Sequence, residues 1–275
     1  MNILILPGVN SGTYLFEGVD KLFKDDEVLV LNPPGVGKPP MLELKLPFTP
    51  KAYAREALKI VENSGWDRFV LIGHSMGGYA AQELAMMVPQ KIEKLVLVST
   101  SAGQPATTRD VAAMPAKLKM SFWEMNQMIE KNPVEGMKPM FGSRFISHQR
   151  HAYEAFIKAR AANLPTHTVS LAHLTAGGTF SSMAWIRRLN VPALVVHGSD
   201  DVLVTAASGK QLASLMPDAQ YIEMHGVGHF PMLEHPDFWR YVKDFLAGNG
   251  AGQKVAPLPV GGFWSKLKEV LTRHG

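Results

Sequence analysis

The sequence predicts an α/β fold: a doubly wound, mostly parallel sheet of about six strands, with a helical cap inserted after the fourth strand. Three observations lead there. Short apolar runs such as Phe69-Val70-Leu71-Ile72 and Ala193-Leu194-Val195-Val196 have the pattern of strands covered on both faces. Helical patterns separate these runs, as parallel neighbours require. From about 105 to 185 the regularity stops: no strand run occurs, and helical segments are interrupted by Pro115, Pro133, Pro139 and Pro165.

Taken in order, residues 3–6 and 28–32 read as the first two strands, with a helical stretch from about Tyr14 and Leu15 between them. A helix over about 50–64 opens with Thr49-Pro50, and residues 69–73 form the third strand. The helix over 76–88 stops at Pro89, and Lys94 to Ser99 is the fourth strand. After the irregular segment come the fifth strand at Ala193 to His197, a helix over 205–216 and a weaker sixth strand at Ala219 to Met224. A final helix over 236–247 opens at Pro236 and stops at Gly248; proline inside the start and glycine past the end are its expected punctuation.

The domains expected are therefore a core of residues 1–104 and 186–248, interrupted by a helical cap at 105–185. Residues 249–262, rich in glycine and proline, read as a linker. Phe263, Trp264, Leu267, Val270 and Leu271 then recur at helical spacing opposite Lys266, Lys268, Glu269 and Arg273, the pattern of a short amphipathic helix at 263–273. That helix can dock on its own domain, on a protein or on a membrane surface.

Composition narrows the function. With 46% hydrophobic residues in 275, the chain can bury a substantial core. It has no cysteine, which excludes disulfides, thiolate nucleophiles and cysteine-bound zinc. No His/Asp/Glu set has metal-ligand spacing, so no metal and no cofactor are expected. The N-terminal apolar stretch is short and lacks a basic start, which predicts a cytoplasmic protein. The net charge of +4 is uneven: residues 105–185 hold nine Lys/Arg against five Asp/Glu, and 249–275 hold four against one. The basic tail carries two aromatic residues, too few to support nucleic-acid binding.

The chemistry is concentrated at Gly73-His74-Ser75-Met76-Gly77. A serine between a strand and a helix sits on a turn so sharp that neighbouring side chains would strike the helix start, so glycine is needed two before and two after it. A serine hydroxyl needs a base to accept its proton, and the base needs an orienting carboxylate. His197-Gly198-Ser199-Asp200-Asp201 follows the fifth strand, and Gly226-Val227-Gly228-His229-Phe230 follows the sixth, so an acid and an imidazole emerge at the serine's edge of the sheet.

A serine turn after a middle strand, then an acid, then a histidine resembles the α/β-hydrolase superfamily, over about residues 1–248. The resemblance implies Ser75, Asp201 and His229 as the catalytic triad, selecting Asp201 over Asp200 and His229 over His225 and His235. Those two histidines, with His74 and His197, are expected to pack or lie at the surface. It also implies an oxyanion hole from the N–H groups of Met76 and Val9, with Asn10 the alternative to Val9, because the family's His-Gly is replaced by Pro7-Gly8. Seven of the fifteen methionines fall in the cap, and Met120, Met125, Met128 and Met140, with Phe230, are the expected pocket lining. The stretch Asn32 to Lys38 reads as a structural turn, and Pro39 removes it from consideration as a phosphate loop. The implied activity is hydrolysis of small-molecule carboxylic esters with an apolar acyl or alcohol part. Acyl transfer or polyester cleavage by the same triad, carbon–carbon bond hydrolysis and a non-catalytic binding role are the alternatives.

Overall fold

The computed structural model describes residues 1–37 and 41–255, so Lys38, Pro39 and the segment 263–273 lie outside the described residues. In chain order the core begins with β1 (Asn2–Leu6), a 3-10 turn (Thr13–Phe16), α1 (Val19–Leu22), β2 (Glu27–Val30), α2 (Pro50–Asn63), β3 (Phe69–His74), α3 (Met76–Met87) and β4 (Ile92–Val98). The helical stretch foreseen from Tyr14 is two short turns, interrupted at Gly18, rather than one crossover helix.

Between β4 and β5 lie six helices: α4 (Ala106–Leu118), α5 (Phe122–Lys131), α6 (Pro133–Gly136), α7 (Ser143–His148), α8 (Arg150–Ala161) and α9 (His167–Thr179). The two ends of this insertion are fastened together by an antiparallel bridge between Gly103 and Ser181 and by the Gln104 N–H donating to the Phe180 carbonyl at 2.8 Å. The chain then forms β5 (Ala193–Gly198), α10 (Ala206–Leu215), β6 (Ala219–Met224), α11 (Pro231–Glu234), α12 (Phe238–Ala247) and β7 (Gln253–Lys254).

The sheet order is β2-β1-β3-β4-β5-β6-β7, with β1 to β6 parallel and β7 antiparallel to β6. Seven strands are present where about six were expected. The extra one falls in the stretch read as a linker, where Gln253 pairs with Tyr221 and the Gln220 Oε1 accepts the N–H groups of Ala251 and Gly252. Its polar residues carry no apolar alternation, so backbone pairing alone makes the strand.

Side-chain alternation divides the core into two layers. Leu4, Leu6, Leu71, Leu95, Leu97 and Val195 point to one face, where Tyr53, Ala57 and Val61 of α2, Leu84 of α3 and Leu212 of α10 cover them. Ile3, Ile5, Val70, Ile72, Val96 and Val196 point to the other, under Phe238, Val242 and Phe245 of α12. Each such side chain taken from water stabilises the fold by about 1.5–3 kcal/mol. The connection from β1 leads to β2 on one side, and the next, from β2, crosses over β1 to β3 on the other, so a switch point opens at their carboxyl ends, where ligands bind in folds of this type.

Candidate active site

β3 ends at His74 and α3 begins at Met76, leaving Ser75 to reverse the chain. It does so at φ 55° and ψ −122°, a conformation that costs a residue with a side chain on the order of 1–3 kcal/mol. Three hydrogen bonds hold it there. The Ser75 N–H donates to the Val98 carbonyl at 2.9 Å, and the Ser75 carbonyl accepts the Gly78 N–H and the Thr100 hydroxyl, each at 2.9 Å. Packing allows nothing larger at the flanking positions: a Cβ on Gly73 would stand 2.6 Å from the Gly77 carbonyl oxygen, and one on Gly77 would strike the Leu6 carbonyl. The loop after β1 passes equally close, since a Cβ on Gly8 would lie 2.7 Å from that of Ser75.

His229, in the loop after β6, is buried and donates from Nδ1 to Oδ2 of buried Asp201 at 2.7 Å. A ring that donates through Nδ1 in its neutral form presents Nε2 as an acceptor, the state needed to take a proton. The second oxygen of Asp201 accepts the N–H groups of Leu203 at 2.9 Å and Val204 at 3.0 Å. Burial pushes the Asp201 carboxyl up, but the adjacent His229 and His197 and the Val204 N–H together hold it below its ordinary range. Ionised Asp201 therefore faces the imidazole with every oxygen satisfied.

Two further histidines support the pair. His197 is buried, donates from Nε2 to the Val204 carbonyl at 2.9 Å and lies 3.7 Å from Asp201 Oδ2. His74 donates from Nε2 to the His229 carbonyl at 2.9 Å, and burial pushes its ring down to about 3, so it stays neutral. Both were expected to pack or lie at the surface; they are buried against Asp201 and His229.

The His229 backbone is fixed from three sides. Its N–H donates to the Met140 carbonyl at 2.7 Å, across from the insertion. The N–H groups on either side, of Gly228 and Phe230, donate to the Glu234 carboxylate at 2.9 and 3.1 Å. The same carboxylate accepts the Gly142 N–H at 2.7 Å, so Glu234 joins the histidine loop to the insertion.

Ser75 and His229 open on one cavity of about 230 Å³, whose wall includes Val9, Met76, Phe230 and Met140. Met76 is the first residue of α3, and the first N–H of a helix has no carbonyl partner within it. From the insertion come Phe122, Asn126, Ile129, Met137, Phe156, Arg160 and Leu174. Met120, Met125 and Met128, expected as lining, do not reach the cavity. On α5 it is Phe122, Asn126 and Ile129 that face it; Met125 is fully buried in the core layer that the insertion shares with the sheet and α12, Met120 packs against that layer, and Met128 is half-buried. Helical spacing marks a buried face without saying which neighbour buries it. Glu234, Asn126 and Arg160 were not anticipated, since none carries a local motif.

These features define an α/β-hydrolase-fold enzyme, and the family described as alpha/beta hydrolase fold matches residues 2–236, so the chain belongs to it. Among curated relatives, a putative carbamate hydrolase RutD of Pseudomonas savastanoi pv. phaseolicola is 26% identical over 86% of this chain and 89% of its own. A 2-hydroxy-6-oxononadienedioate/2-hydroxy-6-oxononatrienedioate hydrolase of a Pseudomonas species is 26% identical over 88% of this chain and 84% of its own. Among solved structures, the enol-lactonase from Burkholderia xenovorans LB400 superposes with a TM-score of 0.72 at 22% identity, covering 90% of this chain and 91% of that one, a likeness of fold.

Proposed function

We propose that this chain hydrolyses carboxylic esters through an acyl-enzyme intermediate. The observation that carries the reading is the placement of a strained Ser75 and an Asp201-bound His229 on the wall of a single cavity. Ser75 Oγ attacks the ester carbonyl carbon while His229 Nε2 accepts its proton, and the imidazolium is stabilised by Asp201 through Nδ1–H. The N–H groups of Met76 and Val9 receive the oxyanion. Collapse expels the alcohol, which takes the proton from His229, and water repeats the sequence to release the acid and restore Ser75. The insertion acts as a cap that narrows access and supplies the apolar wall.

The relatives' names span a carbamate hydrolase and a 2-hydroxy-6-oxo-dienedioate hydrolase, and all such substrates present a carbonyl carbon for attack. The ester reading is tested with p-nitrophenyl esters from acetyl to palmitoyl. Turnover is expected to fall by on the order of 10⁴-fold or more in Ser75→Ala. Absence of Ser75-dependent turnover throughout the series would overturn it.

A further inference from the structure

The cavity wall is mostly apolar, and its polar side chains are neutral with one charged exception. Among the described lining residues Arg160 is the sole permanent cation, and no aspartate or glutamate shares the wall. His74, which also lines it, is held neutral by burial. Arg160 is half-buried on the last turn of α8, directly across from the loop that follows β1, where its charge is felt by Tyr14. Among the described residues no carboxylate or carbonyl accepts a hydrogen bond from its guanidinium. The basic residue on the last turn of a helix ordinarily points at the final carbonyls or into water. Here it borders the reaction cavity instead, where desolvation works against its charge.

A guanidinium partly stripped of water and lacking a partner is costly unless something completes it. Its planar fork of N–H donors matches a carboxylate in bidentate fashion. Neutral donors on the same wall suit that ligand: the Tyr14 hydroxyl, which keeps its proton up to about 12 because of burial and now donates to the Asn10 carbonyl at 3.5 Å, and the Asn126 amide, which spends one N–H on the Phe122 carbonyl and keeps a second. One cation with neutral donors balances a monoanion; a phosphate dianion would call for a second positive group, and the described wall has none.

We infer that Arg160 forms an anion subsite facing Ser75, so that the substrates of this enzyme are esters bearing a free carboxylate on the part held under the cap. The inference rests on the ester reading for its chemistry, and on Arg160 and the cavity for its specificity. It places the scissile carbonyl at Ser75 on the core and the carboxylate at α8 on the insertion, so the substrate spans both parts.

The test compares mono-p-nitrophenyl esters of dicarboxylic acids, from succinate to suberate, with methyl-ended p-nitrophenyl esters of equal chain length. The readout is the ratio of kcat/KM for each charged and uncharged pair. Wild type is expected to favour the charged member of its best pair by at least tenfold, which corresponds to about 1.4 kcal/mol. Arg160→Gln should lower that ratio at least tenfold, chiefly through KM, and Arg160→Lys should keep part of it. A ratio near one in wild type at every length, or one that Arg160→Gln leaves in place, overturns the inference while leaving the ester reading intact. A second arm measures binding of the free dicarboxylates to the Ser75→Ala protein by calorimetry. Binding that weakens at least tenfold when Arg160→Gln is added supports the subsite even where no ester is turned over, in which case the ester reading alone fails.

Discussion

His74 links the site to the acid stability of the whole protein. Its ring is buried, its Nε2–H is used on the His229 carbonyl, and its Nδ1 has no partner. Burial, assisted by the nearby His229, lowers it from 6.5 to about 3. Below pH 6.5 the unfolded chain takes up a proton at this residue that the folded chain refuses, so stability falls as pH falls and rises as pH rises through that window. For a group neutral down to about 3, the loss between pH 7 and pH 4 amounts to roughly 3 kcal/mol, a large part of the stability of an ordinary domain. Gln in place of His74 has an amide that can reach the same carbonyl and has nothing to titrate. Urea unfolding of wild type and His74→Gln at pH 7, 5.5 and 4 should show the wild type losing about 3 kcal/mol more than the variant. His173 and His197, also pushed down by burial, contribute to both proteins and cancel in the comparison. Parallel pH dependences for the two proteins would refute the reasoning, because they would mean that His74 is protonated in the fold or hydrated there.

Asp201→Asn should leave the fold in place by circular dichroism but lower kcat on p-nitrophenyl esters by on the order of 10³–10⁴-fold, because the amide can donate to His229 and favour the wrong tautomer. The carboxyl of Asp201 is held below its ordinary 3.8, so the stability it contributes is present above that pH and is lost as pH falls through its lower folded value, a limb that Asp201→Asn should remove from acid-unfolding curves. Glu234→Gln replaces a carboxylate that accepts three N–H groups with an amide that must turn a donor toward at least one of them, and should cost about 2–3 kcal/mol in urea unfolding together with a fall in kcat. Gly8→Ala sets a methyl group 2.7 Å from the Ser75 Cβ, so it should destabilise by about 1–3 kcal/mol and lower kcat more than tenfold, measured on the same esters.

The strands β1, β3 and β5 were legible because they are buried on both faces, so that a run like Val70-Leu71-Ile72 has no polar side to confuse it with an amphipathic helix, whereas β6, with Glu223 exposed, read more weakly. β7 was not, because two polar residues pair through backbone groups alone. At the site, what could be read was whatever local geometry demands: the glycines about Ser75 and the loops after β5 and β6. Glu234 reaches Gly142 across 92 positions and Asp110 holds Thr205 across 95, and no local pattern encodes such distances. Arg160 was counted among the basic residues of the insertion; only the folded chain separates it from those that face water. The methionines show the converse, since composition suggested an adaptable pocket, yet Met125 fills the core layer shared with the sheet while Met137 and Met140 reach the cavity.

The insertion does more than cover Ser75, as the hydrogen bonds of the histidine loop make clear. The His229 N–H is held by Met140 and the two neighbouring N–H groups by Glu234, whose carboxylate is in turn bound to Gly142. Segment 140–142 is therefore part of the machinery that sets the imidazole, and it cannot swing away without releasing at least two of these contacts, each worth about 1 kcal/mol or more. Movement that admits substrate must leave this segment in place and use other parts of the wall. A second anchor restricts the choice. Asp110 on α4 is buried and accepts the Thr205 N–H at 3.1 Å and its hydroxyl at 3.0 Å, fastening the start of the insertion to the N-terminus of α10, just beyond Asp201. Of the insertion helices that wall the cavity, α4 carries the second anchor, α5 lies between the two anchors, and α8 and α9 follow segment 140–142. The half-buried Arg160 belongs to α8, which carries neither anchor, so the group proposed to bind a substrate carboxylate and the groups assigned to the proposed reaction sit on differently fastened parts of the wall.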